Sequence, residues 1–347
     1  MIFFIRFITA TCLFAFLGKA NVWLNPLSNV LLAIGYRFFL ILSPLFSRVS
    51  GKYAVTVALF ISAAGTLLFC LHHDYWLAAG AILVGIGLSV SGYLIKSEAA
   101  ETPAGAAHNK IALNAGSLLS GVVLLITLES KNIFFGISAA ILFILAIISF
   151  ASSRKKKDIA LPIPKTLNKK KWVGWLLVGI AVGIKLFGVL SVLPQYILAN
   201  TTKLPYWYGV IVFVNSAVII LCQLPIIHWI EKFKANNNAF KITLGIMIIG
   251  MLLIAFPNLF YAYTLIGALI WTLLLSLIEC CASYLDVQGS RAGFLIVKET
   301  AVGLGAGLTV FFSRYFPSHL SSLVIGASGI IAIIIATCLL YEDLKTA

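Results

Sequence analysis

The chain has 347 residues, of which 61% are hydrophobic and only 10% charged, with a mean hydropathy of +1.05. Soluble domains carry about 25% charged residues, so this composition excludes a water-soluble enzyme and places the chain in a lipid bilayer. A net charge of +14 would suit a nucleic-acid partner only if the cations shared one polar face; here they fall at the ends of apolar runs, so no nucleic acid is expected.

A bilayer core about 30 Å thick takes about 20 apolar residues of helix. Such runs lie near 2–18, 28–46, 54–71, 75–95, 111–128, 133–151, 172–199, 207–229, 240–257, 260–283, 295–313 and 320–341. They are continuous rather than alternating with period two, so they read as helices and not as barrel strands. The first run is short, carries Arg6 and precedes "LGKAN", a passage that looks like a signal-peptide cleavage region. In a true signal sequence the positive charge precedes a clean apolar core, whereas here "MIFF" comes first, and the run reads as an uncleaved first span.

With the N-terminus inside, the even-numbered connections hold Arg48 and Lys52, Lys110, eight cations in "SSRKKKDIALPIPKTLNKKK", then Lys232, Lys234, Lys241 and Arg291. The opposite connections hold Lys19, Lys131, Lys203 and Arg314. Cytoplasmic loops carry the excess of lysine and arginine, which puts both termini in the cytoplasm. Trp23, Trp76, Trp172, Trp175, Trp207 and Trp229 fall near span ends, where an indole prefers the interface, and Trp271 does not. The six cysteines sit in or beside apolar runs without metal-ligand spacing, so they read as packing residues, and neither a metal nor a cofactor is expected.

Residues 152–171 form the longest polar stretch and divide the chain into 1–151 and 172–347, each with six spans. The halves echo each other. "SPLFSRVSGKYAVTVALFISAAGTLLF" and "QLPIIHWIEKFKANNNAFKITLGIMIIGMLLIAF" both pass from a span end through a basic turn into a span with a central glycine, matching Pro44 with Pro225 and Gly65 with Gly250. The fifth and eleventh spans, "NAGSLLSGVVLL" and "AVGLGAGLTVFF", are both glycine-rich. The expected fold is therefore an all-α integral membrane protein of about twelve transmembrane helices in two pseudo-symmetric six-helix bundles, the architecture on which alternating access is built.

The turn between the second and third runs, "SPLFSRVSGK", resembles the loop signature G-x-L-x-D-R-x-G-R-K of the major facilitator superfamily. Ser43 stands for the first glycine, followed by Leu45, Ser47 for the aspartate, Arg48, Ser50 for the second glycine and Gly51-Lys52 for the basic pair. The acidic member is absent at Ser47, so the usual arginine–aspartate latch cannot form there; Arg48, Lys52 and Ser47 remain as a cytoplasmic loop latch acting on a helix C-terminus or headgroup phosphates. "LLAIGYRFFLILSPLFSRVSGK", "LPIIHWIEKF" and "SLIECC" look most like the twelve-span drug:proton antiporter branch of exporters. That resemblance implies a monomer in a bacterial inner membrane.

Ionisable side chains inside spans cost about 2.5–3.5 kcal/mol on insertion scales, so each needs a reason. Arg37, flanked by Tyr36 and Phe38, lies in the second run, and Lys185 in the seventh. Either they face a central cavity, with Tyr36, and attract an anionic substrate, or each forms one intramembrane ion pair. Glu279 in the tenth run and Glu299 in the eleventh are the proton-coupling candidates, set against the alternatives of structural pairing and, for Glu299, compensation of a helix dipole. The first three spans hold no Asp or Glu, which places any proton coupling in the second half. The implied function is proton-coupled export of a small organic molecule, drug-like or siderophore-like, with small molecule, protons and bilayer as partners. Import, uncoupled passage or a non-transporting membrane partner are the alternatives, and no clustered acid, histidine or phosphate loop suggests an enzyme.

Overall fold

The structure, a computed structural model, describes residues 1–71, 73–125, 130–153, 168–201, 205–235 and 238–340. Every regular element among the described residues is helical. In the first half these are α1 (Ile2–Trp23), α2 (Pro26–Phe38), α3 (Ser43–Ser50), α4 (Ala54–Leu68), α5 (Asp74–Ala99), α6 (Pro103–Leu125) and α7 (Lys131–Ser153). The second half has α8 (Lys169–Leu186), α9 (Leu193–Asn200), α10 (Trp207–Glu231), α11 (Asn238–Ala255), α12 (Leu265–Ala282), α13 (Tyr284–Arg291), α14 (Leu295–Tyr315) and α15 (Ser318–Leu339).

Local chemistry sets the boundaries. Asn25 caps α2 by accepting from Ser28 N at 2.8 Å, with Pro26 beginning the helix, and Asn168 caps α8 by accepting from Lys170 N and Lys171 N. A proline without an N–H suits a first helical turn, and a side-chain oxygen satisfies an otherwise orphaned N–H. Thr102 does the same for α6, accepting from Gly105 N at 3.0 Å just ahead of Pro103. The stretch between the fourth and fifth apolar runs, expected as a loop, is therefore mostly helix: α5 continues to Ala99 and α6 already includes Lys110.

Among the described residues, eight helical stretches are long and apolar enough to cross a membrane, or nine if α8 and α9, bent by 42°, form one broken span. One of the eight, Leu27–Leu68, has 42 residues. At 1.5 Å per residue that is about 63 Å of helix, twice a bilayer core, so it contains two crossings. Gly51 marks the turn, with φ 50 and ψ −130, a conformation that side chains disfavour. The remaining two expected spans are α1, whose apolar part is Ile2–Leu17, and α6, whose first turns are small and polar. The chain is thus a multi-pass membrane protein.

The described residues gather into two compact units. One contains Met1–Ala99 and the described residues from Ala112 to Ser153; the other contains Ala100–Ile111 and the described residues from Asn168 onward. The division falls inside α6, so its first turns, including Lys110, pack with the second half of the sequence. Most of the basic stretch expected to join the halves, residues 154–167, lies outside the described residues.

Each unit repeats the same packing. In the first, α2 packs on α5 and α4 on α7; in the second, α10 packs on α12 and α11 on α15, which pairs second with fourth and third with sixth spans in both halves. The glycine-rich helices occupy equivalent places. A Cβ on Gly116 of α6 would lie 2.5 Å from the Phe7 carbonyl oxygen of α1, and one on Gly305 of α14 would lie 2.0 Å from the Ile180 carbonyl oxygen of α8. Gly179 and Gly183 of α8 return the contact against the Lys298 and Val302 carbonyls of α14. Where lipid gives helices no hydrophobic reason to associate, such small-residue faces supply the van der Waals contact. The core of the second unit includes Trp175 and Trp271, buried to 2% and 0% exposure. Trp271 donates to the Leu253 carbonyl at 2.7 Å, and Trp175, expected at the interface, instead stacks on Phe240 with ring centroids 5.7 Å apart.

Gly305→Ala should cost about 1–3 kcal/mol, because its methyl meets backbone that cannot yield, whereas Gly307→Ala, two residues on and with nothing within 4 Å of its Cβ, should be neutral or stabilising through helix propensity. Thermal unfolding of the two variants in detergent distinguishes them; equal melting temperatures would contradict the close α8–α14 contact.

Candidate functional site

Charged side chains within the second unit are placed by three helices. Glu279 lies on α12 at 2% exposure, and Lys185 lies near the end of α8, three residues before a π-helical turn at Gly188–Val192. The Lys185 ammonium donates to Glu279 Oε2. Lys110 of α6 forms an ion pair with the other carboxylate oxygen, its side chain 14% exposed. Two residues that sequence reasoning assigned separately, a cavity cation and a proton-carrying acid, are thus direct partners, joined by a lysine read only as a loop cation.

The packing explains the geometry. Gly250 of α11 lets Ile278 of α12 approach, since a Cβ there would sit 3.0 Å from Ile278, and the Lys185 stem passes beside it with Cγ 3.7 Å from the same point. Cys280 and Cys281 follow Glu279 on its own helix; Gln223 of α10 donates to the Cys280 carbonyl at 3.0 Å and to Ser283 Oγ at 2.6 Å, fixing the end of α12. Ser276, one turn before Glu279, donates to Asn215 Oδ1 at 2.8 Å. With all three groups ionised, Lys110, Lys185 and Glu279 sum to one positive charge in apolar surroundings.

A second charged group lies further along the same chain segment. Lys298 of α14 donates to Asp286 of α13 and, at 2.7 Å, to Glu299 Oε1, with all three residues at 6% exposure or less. Here one ammonium faces two carboxylates. Asp286 was absent from the sequence candidates because "SYLDVQGSR" reads as a turn, whereas Tyr284–Arg291 is helical and buries Asp286.

In the first unit Arg37 is half-buried at the end of α2, its guanidinium 5.4 Å from the ring centre of Tyr36. Ser47 is buried within α3, and Arg48 is exposed on the same short helix. Lys52, with Glu98, Ser149 and Ser153, lines a cavity of about 150 Å³. Glu98 reaches that cavity from α5 rather than from the loop. Sequence reasoning also passed over Arg6, which is 6% exposed.

No family profile matches the sequence, and no curated protein does. Solved structures do match in fold. The fucose:proton symporter of E. coli aligns over 97% of this chain and 96% of its own with a TM-score of 0.66 at 13% identity. A POT family transporter in complex with a thioalcohol-conjugated peptide aligns over 99% and 96% with a TM-score of 0.67 at 13% identity. The human organic anion transporter MFSD10 (TETRAN) aligns over 96% and 98% with a TM-score of 0.59 at 12% identity. The chain has the fold of the major facilitator superfamily.

Removing one member of a buried pair typically costs about 3–5 kcal/mol by leaving an uncompensated charge. Lys185→Met should cost less than Glu279→Gln, because Lys110 still meets the carboxylate in the first variant, whereas two ammonium groups lose their partner in the second. Reversible unfolding of both variants and the double variant gives the order; Lys185→Met as the more damaging change would contradict the three-membered arrangement.

Proposed function

We propose that the protein is a secondary transporter that moves a small organic molecule by alternating access in a bacterial inner membrane, coupled to protons and without enzymatic chemistry. The observation that carries this reading is the buried Lys110–Glu279–Lys185 group within a major facilitator fold. An ionisable cluster inside a span is costly and marks an ion or substrate pathway by default, and the midplane of such a fold is where cargo binds.

Charge fixes the sign of coupling. A proton on Glu279 raises the net charge of the group from one positive to two, and an oxyanion entering between the lysines relieves it. Proton and anion then each favour the binding of the other, and the linkage is reciprocal. Cargo bearing one carboxylate would travel in the same direction as one proton. A cationic cargo would instead compete with the proton, as exchange requires. The two lysines favour the anion; Arg37 with Tyr36 is a separate anion-attracting candidate within the first unit, and Glu299 is the second proton-carrying candidate.

Export of a drug-like or siderophore-like compound is the second reading, supported by the likeness of residues 31–52 and of "SLIECC" to the drug:proton antiporter branch. In both readings the termini are cytoplasmic, the protein is a monomer organised as bundles 1–151 and 172–347 around the 152–171 linker, and Ser47, Arg48 and Lys52 form the cytoplasmic latch, with Glu98 as its acid.

Inside-out vesicles carrying a pH-sensitive dye and a preset proton gradient, exposed to anionic, cationic and chelating compounds, test the proposal. Proton movement dependent on an anionic compound, abolished by Glu279→Gln and by Arg37→Ala in inserted protein, is expected. Silence across the panel, or full activity in Glu279→Gln, would overturn it.

A further inference from the structure

Arg6 is the most anomalous charge in the first unit. It lies in the second turn of α1, only 6% exposed, and its Nε is buried without a hydrogen-bond partner. No carboxylate forms an ion pair with it among the described residues. A lysine so placed could shed its proton; a guanidinium stays charged in any protein environment. A buried N–H left without an acceptor, as at Nε, costs free energy that a bound oxyanion would recover.

The surroundings form a seat rather than an accident of packing. The guanidinium lies against Gly92 of α5, where a Cβ would meet Nη1 at 2.6 Å, and the Tyr36 hydroxyl of α2 is 3.8 Å from that same point. One turn earlier on α5, on the same helical face, Ser89 is 3% exposed and its Oγ also lacks a hydrogen-bond partner. The forked cation thus lies against Gly92 beside a phenol, with an unpartnered hydroxyl one turn away on α5. Lys96, one turn beyond Gly92 on α5, is half-buried and has contacts of its own, and the remaining charged groups on these helices are accounted for elsewhere. Lys19 lies over Trp23, Arg37 over Tyr36, and Asp74 accepts from Asn25 at the far end of α5; Glu98 lines the cavity with Lys52.

We infer that Arg6, with Ser89 and Tyr36 around Gly92, is an oxyanion-binding site of the first unit, taking a carboxylate or phosphate group. Arginine matches either group with two parallel N–H···O bonds, and Ser89 Oγ supplies a donor the protein itself leaves unused. That the oxyanion belongs to transported cargo rests on the transport reading above; that an oxyanion binds does not. A lipid headgroup phosphate has the same chemistry, since Arg6 is close to the end of α1.

The test follows the melting temperature of the full chain in detergent as sodium benzoate or inorganic phosphate replaces sodium chloride at constant ionic strength. The wild type should show a saturable rise with at least one of them, and Arg6→Met should weaken that response by about tenfold or more, the scale of a lost charge-assisted fork. In chloride alone Arg6→Met should melt above the wild type, because a buried N–H without a partner has been removed. Lys185→Met should keep the Arg6-dependent response, so that failure of the Lys110–Glu279–Lys185 reading and failure of this site are separable. A second arm compares phosphatidylglycerol with phosphatidylcholine vesicles; an Arg6-dependent rise confined to phosphatidylglycerol assigns the site to lipid phosphate. Should Arg6→Met not fold, Gly92→Ala displaces Nη1 and should abolish the same response. An undiminished response in Arg6→Met, or a flat wild type in both arms, would overturn the inference.

Discussion

A charge held inside an apolar bundle has to be answered by an opposite charge, and that single requirement organises the second unit. Lys185 and Glu279 would each be prohibitive alone; together with Lys110 they tie α6, α8 and α12 to one point. Lys298 ties α13 to α14 in the same manner through Asp286 and Glu299. The bonds are stabilising only in the sense that breaking one is expensive, since a well-packed apolar replacement of such a network is often as stable. Stability alone therefore does not account for them.

Close backbone approach makes those charge contacts possible. The Gly179, Gly183 and Gly305 faces bring α8 and α14 together until only hydrogens separate them, and α8 then carries Lys185 onward to α12. The 42° bend at Phe187 and the π-helical turn that follows it let the chain change direction directly after Lys185. Such turns recur at functional positions because they loosen the hydrogen-bond ladder locally. Packing, charge and the bend thus converge on one helix.

Much of the fold was legible in the sequence because lipid imposes a blunt rule: about 20 apolar residues for each crossing. The internal echo was legible too, and the structure gives it physical meaning, with Gly116 pressed on α1 and Gly305 on α8 as equivalent helices of the two halves. What the hydropathy pattern hid was polar helix. "TPAGAAHNK" and "SYLDVQGSR" read as connections because their composition is mixed, yet Thr102 caps one as the start of α6, and α13 buries Asp286 in the other. Lys110 and Asp286 were lost with them. Arg6 was overlooked for the opposite reason: it weakened the apolar score of a first span instead of being asked what it binds.

The most direct test of the account is proton uptake by the purified protein on anion binding. In weakly buffered detergent solution with a pH indicator, adding benzoate should draw protons onto the wild type and none onto Glu279→Gln, because the anion between the lysines favours protonated Glu279. Proton release on benzoate binding would mean that proton and anion compete, and would contradict the central claim that Lys110, Glu279 and Lys185 bind the two together.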